Sequence, residues 1–367
     1  MSQYPAPIQI DSIMVAINAV QASNAAFKAK GTPGMVAVFA GATSGIGMGT
    51  LKAFIKYANA PKAYIIGRSE SAAGHLLNDL RLSNPSATLN FLEGEISLIR
   101  EVDRLCDEIK RKEEKVDIVF MSAGYLSFDG RNNHLKGLTS LNPSVTILVS
   151  RFAYNLVPLL QTSPNPRVIS ILAGGGGGGG GQEKSINLDD LEVKQDFTMI
   201  KAASSGTTQT TLAFEELAKS KSCISSIHKC PGFVDTGALG RLMSSTTGFY
   251  AIPSTFFRWV MLPFLNLFAM SVEEAGERGL FLATSARCPT TELREGASSG
   301  VELPAGVKTA RSSVVDENGN LNGVYRLKAD DESAPDGDVF PSYRKVNAGE
   351  IVWESTVRVW ERALERA

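Results

Sequence analysis

The sequence predicts an α/β protein in which helices cover both faces of a doubly wound parallel sheet, with an appended C-terminal lobe. Apolar runs of strand length alternate with helix-length segments between residues 34 and 286. The first run leads into a glycine-rich turn and then a helix, and 43% of the residues are hydrophobic, enough for a buried core. Such alternation implies right-handed crossovers between parallel strands.

The predicted strands are short apolar runs, each bounded by turn residues or a helix-like segment. In chain order they cover residues 36–40, 63–68, 89–95, 116–121, 167–172 and 223–228. A short strand-like run, 323–327, and an amphipathic helix, 347–367, follow. In that helix Ile351, Val352, Val357, Trp360 and Leu364 share one face. We therefore divide the chain into an N-terminal extension (1–33), a doubly wound α/β domain (34–286) and a C-terminal extension packed on it (287–367).

The turn after the first strand carries glycines in the spacing G-x-x-x-G-x-G. Gly41 allows a sharp turn off the strand, Gly45 allows backbone to approach a pyrophosphate, and Gly47 allows the next helix to pack closely. The unpaired N–H groups and dipole at the start of the helix, 48–57, attract an anion. Because strand, spacing and helix occur in this order, the segment predicts a dinucleotide-binding site.

Bulk properties exclude several classes of function. The net charge is −1 and the pI about 6.4, so nothing favours nucleic acid. The four cysteines are scattered, without metal-ligand spacing, which favours reduced thiols and no metal site. The N-terminus lacks the pattern of a secretory signal, and no run is long enough to span a bilayer. We expect a cytoplasmic protein.

Two unusual segments flank the expected crevice. The apolar stretch 255–270 belongs to a segment, about 237–270, interpreted as a substrate lid; a core helix, a dimer contact and shallow membrane association are the alternatives. Gly174–Gly181 is a run of eight glycines directly after the fifth strand. It is either a tolerated surface loop or a flexible edge of the active-site mouth.

These motifs together resemble the short-chain dehydrogenase/reductase family, whose members have a single Rossmann domain and usually move hydride between NAD(P) and a carbonyl or alcohol. Ser122-Ala123-Gly124 is similar to the family's N-A-G motif, and the run 231–236 is similar to its P-G-x-V-x-T motif. The resemblance implies a set of cofactor-binding residues. They are Gly41, Thr43, Ser44, Gly45, Ile46, Gly47, Arg68, Glu95, Ser122, Ala123, Gly124, Lys201, Pro231, Gly232, Val234 and Thr236.

The end of the second strand indicates which cofactor is preferred. Arg68 follows this strand, and an arginine there suits the 2′-phosphate of NADPH, whereas a carboxylate would suit the free 2′-hydroxyl of NADH. We therefore expect NADPH/NADP, with Glu70 as the nearby opposing charge. In the family an aspartate near the adenine occupies the position of Glu95.

The catalytic motif departs from the family pattern. Its Y-x-x-x-K appears here with Phe197 and Lys201, so the phenolic proton donor is missing, and Ala173 occupies the position of the catalytic serine. Lys201 remains, as a ribose ligand or a catalytic group. Asp196, beside the lost tyrosine, is a candidate acid or a solvated helix-start residue. Tyr125, after the S-A-G turn, is a candidate surrogate hydroxyl.

We interpret the chain as an NADPH-dependent reductase homologue that acts on a bulky apolar small molecule, similar to fungal enzymes that tailor specialised metabolites. A non-redox isomerase, dehydratase or cyclase using the same pocket is the alternative, and a non-catalytic cofactor-binding scaffold is the third reading. The resemblance also allows a homo-oligomer that pairs through the helices around 144–160 and 198–219.

Overall fold

Parallel strands form one sheet whose order, with the strands numbered along the chain, is 3-2-1-4-5-6-7. The computed structural model describes residues 15–123, 144–171, 183–195, 197–220, 223–237, 269–292, 298–314, 322–335 and 339–365. The strands are β1 Val36–Ala40, β2 Lys62–Gly67, β3 Thr88–Glu93, β4 Ile118–Met121, β5 Arg167–Ile171, β6 Ser225–Lys229 and β7 Val324–Leu327. The doubly wound parallel sheet predicted from the sequence is confirmed.

Helices connect these strands and cover the sheet. They are α1 Ile17–Lys30, α2 Gly45–Tyr57, α3 Glu70–Ser83, α4 Ile99–Lys112, α5 Ser144–Leu160, α6 Met199–Ser220, α7 Val272–Thr284, α8 Val339–Lys345 and α9 Ala348–Glu365. No helix in the described ranges is long and apolar enough to cross a membrane.

The predicted strands lie within about two residues of the observed ones. Two-residue differences occur at the end of β3 and at the starts of β4 and β6; at β6, Cys223 and Ile224 precede the strand although Ile224 is buried. An apolar residue is buried in a turn beneath the sheet as readily as in a strand, so hydrophobicity alone does not mark the start. The strand-like run near residue 325 forms β7, which pairs in parallel with β6 and extends the sheet.

Two cores sandwich the sheet. One face packs against α1, α2, α3 and α7 through side chains such as Phe27, Leu51, Leu77 and Leu280. The other packs against α4, α5 and α6. The strand order reverses between β1 and β4, so a crevice opens at the carboxyl ends of these strands. The residues after each strand therefore decide what this edge can bind.

The terminal segments pack on this sandwich. The sequence did not predict α1, whose Asn24 donates hydrogen bonds to the backbone oxygen and carboxylate of Glu277 on α7. Helix α9 packs across α6 and beside α4 and α5. Its buried face consists of Val352, Thr356, Val359 and Trp360, so the expectation for Leu364 was wrong: its side chain is 40% exposed.

Candidate functional site

The turn between β1 and α2 leaves no room for side chains on its glycines. Gly41 has φ +88°, and a β-carbon there would lie 2.5 Å from the backbone nitrogen of Ala123, which follows β4. A β-carbon on Gly47 would lie 2.3 Å from Oγ of Ser122. The Ser122 hydroxyl donates a hydrogen bond of 3.1 Å to the carbonyl of Gly41. The ends of β1 and β4 are thereby held together at the point where the strand order reverses.

The loop after β6 reaches the same turn. Gly45 has φ +58°, and a β-carbon on it would lie 3.1 Å from the Thr236 methyl group. Thr236 closes the loop that begins at Pro231, and its backbone N–H donates to the carbonyl of Val234 at 2.8 Å. The structure thus brings together the glycine turn, the residues after β4 and the loop after β6.

The first turn of α2 lacks the capping side chain and the acidic residues found at the starts of α3 and α7. Ser44 is the N-cap of α2, yet its side chain makes no capping hydrogen bond and the first turn holds no acidic residue. By contrast, Ser69 caps α3 and Ser271 caps α7, and each of those helices has glutamate in its first turn. Thr43 and Ser44 are both exposed. The positive end of α2 therefore remains available to an anion.

Arg68 lies directly after β2, on the same edge of the sheet. Gly67, the residue before it, approaches the turn: a β-carbon there would lie 3.0 Å from the Thr43 methyl group. The Arg68 side chain is exposed and makes no ion pair with any described residue. Nearby, the Glu93 carboxylate accepts a 2.6 Å hydrogen bond from the backbone of Glu70. Among the described residues Arg68 is thus a cation without an ion-pair partner, and it lies beside the start of α3, which already binds the Glu93 carboxylate.

Glu95 lies on the loop after β3. Its side chain is exposed and accepts a hydrogen bond from the backbone of Ser97 at 3.2 Å. Among the described residues it has no contact with the glycine turn, so its role at the adenine remains a prediction.

Helix α6 carries the remaining lysine of the catalytic motif. Lys201 is exposed, and its ammonium pairs with no carboxylate in the described ranges, while its backbone N–H donates to Thr198 Oγ1 at 3.1 Å. Phe197 lies just before the helix. Ser204 and Ser205, one turn further along, are buried, and Ser205 accepts a hydrogen bond from Gln209.

A buried polar cluster lies behind α6. His228 on β6 exchanges a 2.8 Å hydrogen bond with Thr211, and the Glu183 carboxylate accepts from Thr211 and Arg326. Burial lowers the pKa of His228 to about 4, so the imidazole is neutral at pH 7. Burial alone would raise the pKa of Glu183, but the Arg326 guanidinium holds it below its ordinary value. This cluster joins β6, β7 and α6 beneath the crevice.

Some sequence predictions lie outside the described residues. They are Gly124, Tyr125, Ala173, Asp196, the glycine run 174–181 and most of the 237–270 segment. Their roles therefore stay predictions.

Sequence reasoning also missed supporting residues. A β-carbon on Gly276 of α7 would lie 2.3 Å from the backbone of Gly49 on α2, so the two helices cross at backbone contact. The spacing of Gly276 and Gly279 was a usable signal for such a crossing. No sequence signal pointed to Asp331, which pairs with two buried cations, because its partners are 53 and 102 residues away along the chain.

The chain is similar along most of its length to oxidoreductases from fungi. No protein-family model matches the chain. It is similar to oxidoreductase AN1596 of Emericella nidulans, with 36% identity over 354 residues that cover 96% of this chain and 100% of the relative. It is also similar to short-chain dehydrogenase/reductase SAT2 of Stachybotrys chartarum, with 28% identity over 349 residues that cover 88% of this chain and 91% of the relative.

Among solved structures, the fold is similar to that of YwfH, an NADPH-dependent reductase involved in bacilysin biosynthesis. The TM-score is 0.50 and the identity 16%, over 68% of this chain and 91% of that one. At this identity the likeness concerns the fold alone.

Proposed function

The chain belongs to the short-chain dehydrogenase/reductase family, and we propose that it is an NADPH-dependent reductase of a bulky, largely apolar small molecule. The observation that carries this proposal is the convergence of the glycine turn (Gly41, Gly45 and Gly47) with Ser122 after β4 and Thr236 after β6, at the point where the strand order reverses. Such a surface admits backbone close to a ligand. Because two relatives from fungi match most of the chain, we propose a role in specialised metabolism.

The residues of the crevice fit a dinucleotide. The uncapped start of α2, with exposed Thr43 and Ser44, suits a pyrophosphate. Arg68 suits the 2′-phosphate that distinguishes NADPH from NADH, since a guanidinium binds phosphate through paired hydrogen bonds. Val234 and Thr236 would hold the nicotinamide end, and Lys201 the adjoining ribose. Bound NADPH would supply hydride, and the apolar segment 237–270 would enclose the substrate.

The proton must come from a group other than a tyrosine at residue 197. A phenylalanine ring keeps the shape of that wall but has no ionisable hydrogen. We propose an acceptor that needs no phenolic acid, such as an iminium ion or an activated alkene, or else protonation by Asp196, Tyr125, Ser204, Ser205 or the substrate itself. In each case Lys201 orients the cofactor ribose and contributes positive charge beside the reacting atoms.

The missing phenol also favours a second candidate. A site that retains its cofactor motifs but lacks the serine and tyrosine could catalyse an isomerisation, dehydration or cyclisation by orienting an apolar substrate. In that case NADP(H) would be bound without being consumed. The two candidates differ in whether the absorbance of the reduced nicotinamide falls during turnover.

The test is to follow NADPH absorbance with a panel of apolar ketones, imines and enones. We expect consumption with at least one class, and a loss of about 100-fold or more in kcat/KM for Lys201→Met, typical of a group that acts at the transition state. Lys219→Met on the same helix is the control, because Lys219 is exposed and pairs only with Glu216 among described residues. Binding of NADPH without consumption by any compound would favour the non-redox candidate.

A further inference from the structure

A tight turn follows β7 and lies beneath the candidate cofactor site. We call residues 328–331 the C-terminal turn and residues 231–236 the cofactor loop. The backbone N–H of Asp331 donates to the carbonyl of Lys328 at 3.1 Å, and that of Lys328 to Glu332 at 2.8 Å. Asp331 has φ +64° although it is not glycine. Such a conformation persists only where the surroundings hold it.

The cofactor loop contacts this turn directly. Gly232 has φ +70°, and a β-carbon on it would lie 2.6 Å from the β-carbon of Ala329. Just before the loop, the backbone N–H of Cys230 donates to the carbonyl of Leu327 at 2.9 Å. The start of the loop therefore has little freedom to move toward β7.

The Asp331 carboxylate pairs with two buried cations close to this contact. Its side chain is fully buried, and its carboxylate bonds Lys229, the last residue of β6, and Arg278 of α7. Arg287 donates to its backbone oxygen at 2.8 Å. Lys229 and Arg278 are themselves buried. Asp331 is the only carboxylate that pairs with Lys229 among the described residues, whereas Arg278 also pairs with Glu274 at 2.9 Å.

The other side of the cofactor loop is held by the chain entering α7. Asp235 donates from its backbone to the carbonyl of Met270 at 3.0 Å, and Met270 donates back to Phe233 at 2.9 Å. Two residues later α7 begins, and Arg278 on that helix reaches Asp331 at 2.7 Å. Both supports of the loop, at Ala329 and at Met270, are thus connected through Asp331.

From these contacts we propose that the C-terminal turn sets the position of the nicotinamide-binding loop, with Asp331 as the positioning residue. The C-terminal segment then belongs to the cofactor site although it touches no cofactor itself. This inference rests on the proposed function. It implies that disturbing the turn weakens binding of the nicotinamide half of NADPH and spares the adenosine half, which would bind at β2 and α2.

A double-mutant cycle between Gly232 and Ala329 tests this arrangement. The ligands are NADPH and adenosine 2′,5′-bisphosphate, which lacks the nicotinamide half. We expect Gly232→Ala to raise the Kd of NADPH about tenfold or more, because the new methyl group meets Ala329 and because alanine is strained at the φ of +70°. Ala329→Gly in the same chain removes the steric part only, so the double variant should regain part of the affinity. The bisphosphate should bind all variants within about twofold of wild type.

A second pair of variants tests Asp331 itself. Asp331→Asn removes the charge that Lys229 and Arg278 share and should weaken NADPH more than the bisphosphate. Asp330→Asn is the control, because that carboxylate is partly exposed and pairs only with Lys328 among described residues. Should Asp331→Asn fail to fold, the double-mutant cycle between Gly232 and Ala329 still tests whether the C-terminal turn positions the cofactor loop.

Four outcomes overturn the inference. Equal loss of both ligands in Gly232→Ala, or an unchanged NADPH Kd, would mean that the turn supports the fold only. Absence of rescue by Ala329→Gly would mean that the contact is not the cause. If wild-type protein binds neither NADPH nor NADH, the proposed function fails and this inference fails with it, and that result is seen before any variant is made.

Discussion

At the scale of single residues, Gly41 and Gly47 lie where a β-carbon would collide with Ala123 and Ser122, as the predicted sharp turn and close packing require, while the approach of Gly45 to a pyrophosphate stays a prediction. Arg68 was predicted from its place after a strand, and it lies exposed at the sheet edge beside Thr43's turn. The Glu95 carboxylate accepts a hydrogen bond from Ser97 in its own loop, and its role at the adenine stays a prediction.

Arg68 should decide between the two nicotinamide cofactors. Arg68→Ala removes the cation expected at the 2′-phosphate, so we expect NADPH affinity to fall about tenfold or more while NADH affinity changes little. Fluorescence titration of both cofactors measures this. Arg81→Ala is the matched control, since Arg81 is an exposed arginine near the far end of α3. Equal weakening of NADPH and NADH by Arg68→Ala would contradict the assignment.

His228 should make stability depend on pH. Its pKa is about 4 in the folded protein and near 6.5 when unfolded. Between these values the unfolded chain binds the extra proton, so stability is full above pH 6.5 and is lost as pH falls toward 4. The loss should be on the order of 3 kcal/mol. Urea unfolding of wild type and His228→Asn across this window measures it; equal pH slopes would contradict burial as the cause.

At the scale of elements, the cofactor site depends on how α2 and α7 cross. Gly49 lies against the start of α7: a β-carbon on Gly49 would lie 2.2 Å from the Val272 carbonyl oxygen. A β-carbon on Gly279 of α7 would lie 2.3 Å from Thr50 Oγ1 on α2. The crossing holds α2, whose N-terminus forms part of the proposed phosphate site, against the helix that follows the cofactor loop.

Gly49→Ala should destabilise the fold by about 2–4 kcal/mol, because backbone atoms must move to admit the methyl group. Gly74→Ala on α3 is the control: nothing lies within 4 Å of its added β-carbon, so helix propensity alone should leave stability unchanged or slightly raised. Urea denaturation of the two variants separates these effects. A Gly49→Ala protein as stable as wild type would mean that the helices can slide apart without cost.

At the scale of the whole molecule, the C-terminal segment contacts the sheet, the buried polar cluster and the helices on one face. It contributes β7 to the sheet, Arg326 to the buried cluster and α9 to the outer surface of α4, α5 and α6. Trp360 donates from its indole to the carbonyl of Ile147 at 3.0 Å and packs against Trp353 and Tyr154. Helix α9 covers part of the α5 and α6 surface through which the family resemblance allowed self-association.

Trp360→Ala should lower the free energy of unfolding by about 3–5 kcal/mol, since it removes a large side chain that is 2% exposed together with its hydrogen bond. Leu364→Ala on the same helix should cost less than about 1 kcal/mol, because that side chain is 40% exposed. Thermal and urea unfolding compare the pair. Similar costs for both variants would mean that α9 frays from the domain.

The fold could be read from the sequence because its signals are local. Apolar runs, a glycine turn and helix-length spacers lie next to one another along the chain, and strands joined by helical crossovers form a parallel sheet. The contacts that position the site are not local. Thr236 meets Gly45, and Asp331 meets Lys229, only after the chain has closed on itself. No periodicity records such pairs, so the glycine turn was predicted and its supports were not.

The measurement that most directly tests the central claim is a fluorescence titration of the wild-type protein with NADPH and with NADH. The crevice built from the glycine turn, the start of α2 and Arg68 predicts saturable binding of NADPH, at least about tenfold tighter than that of NADH. Binding of neither cofactor, or equal affinity for both, would contradict the account.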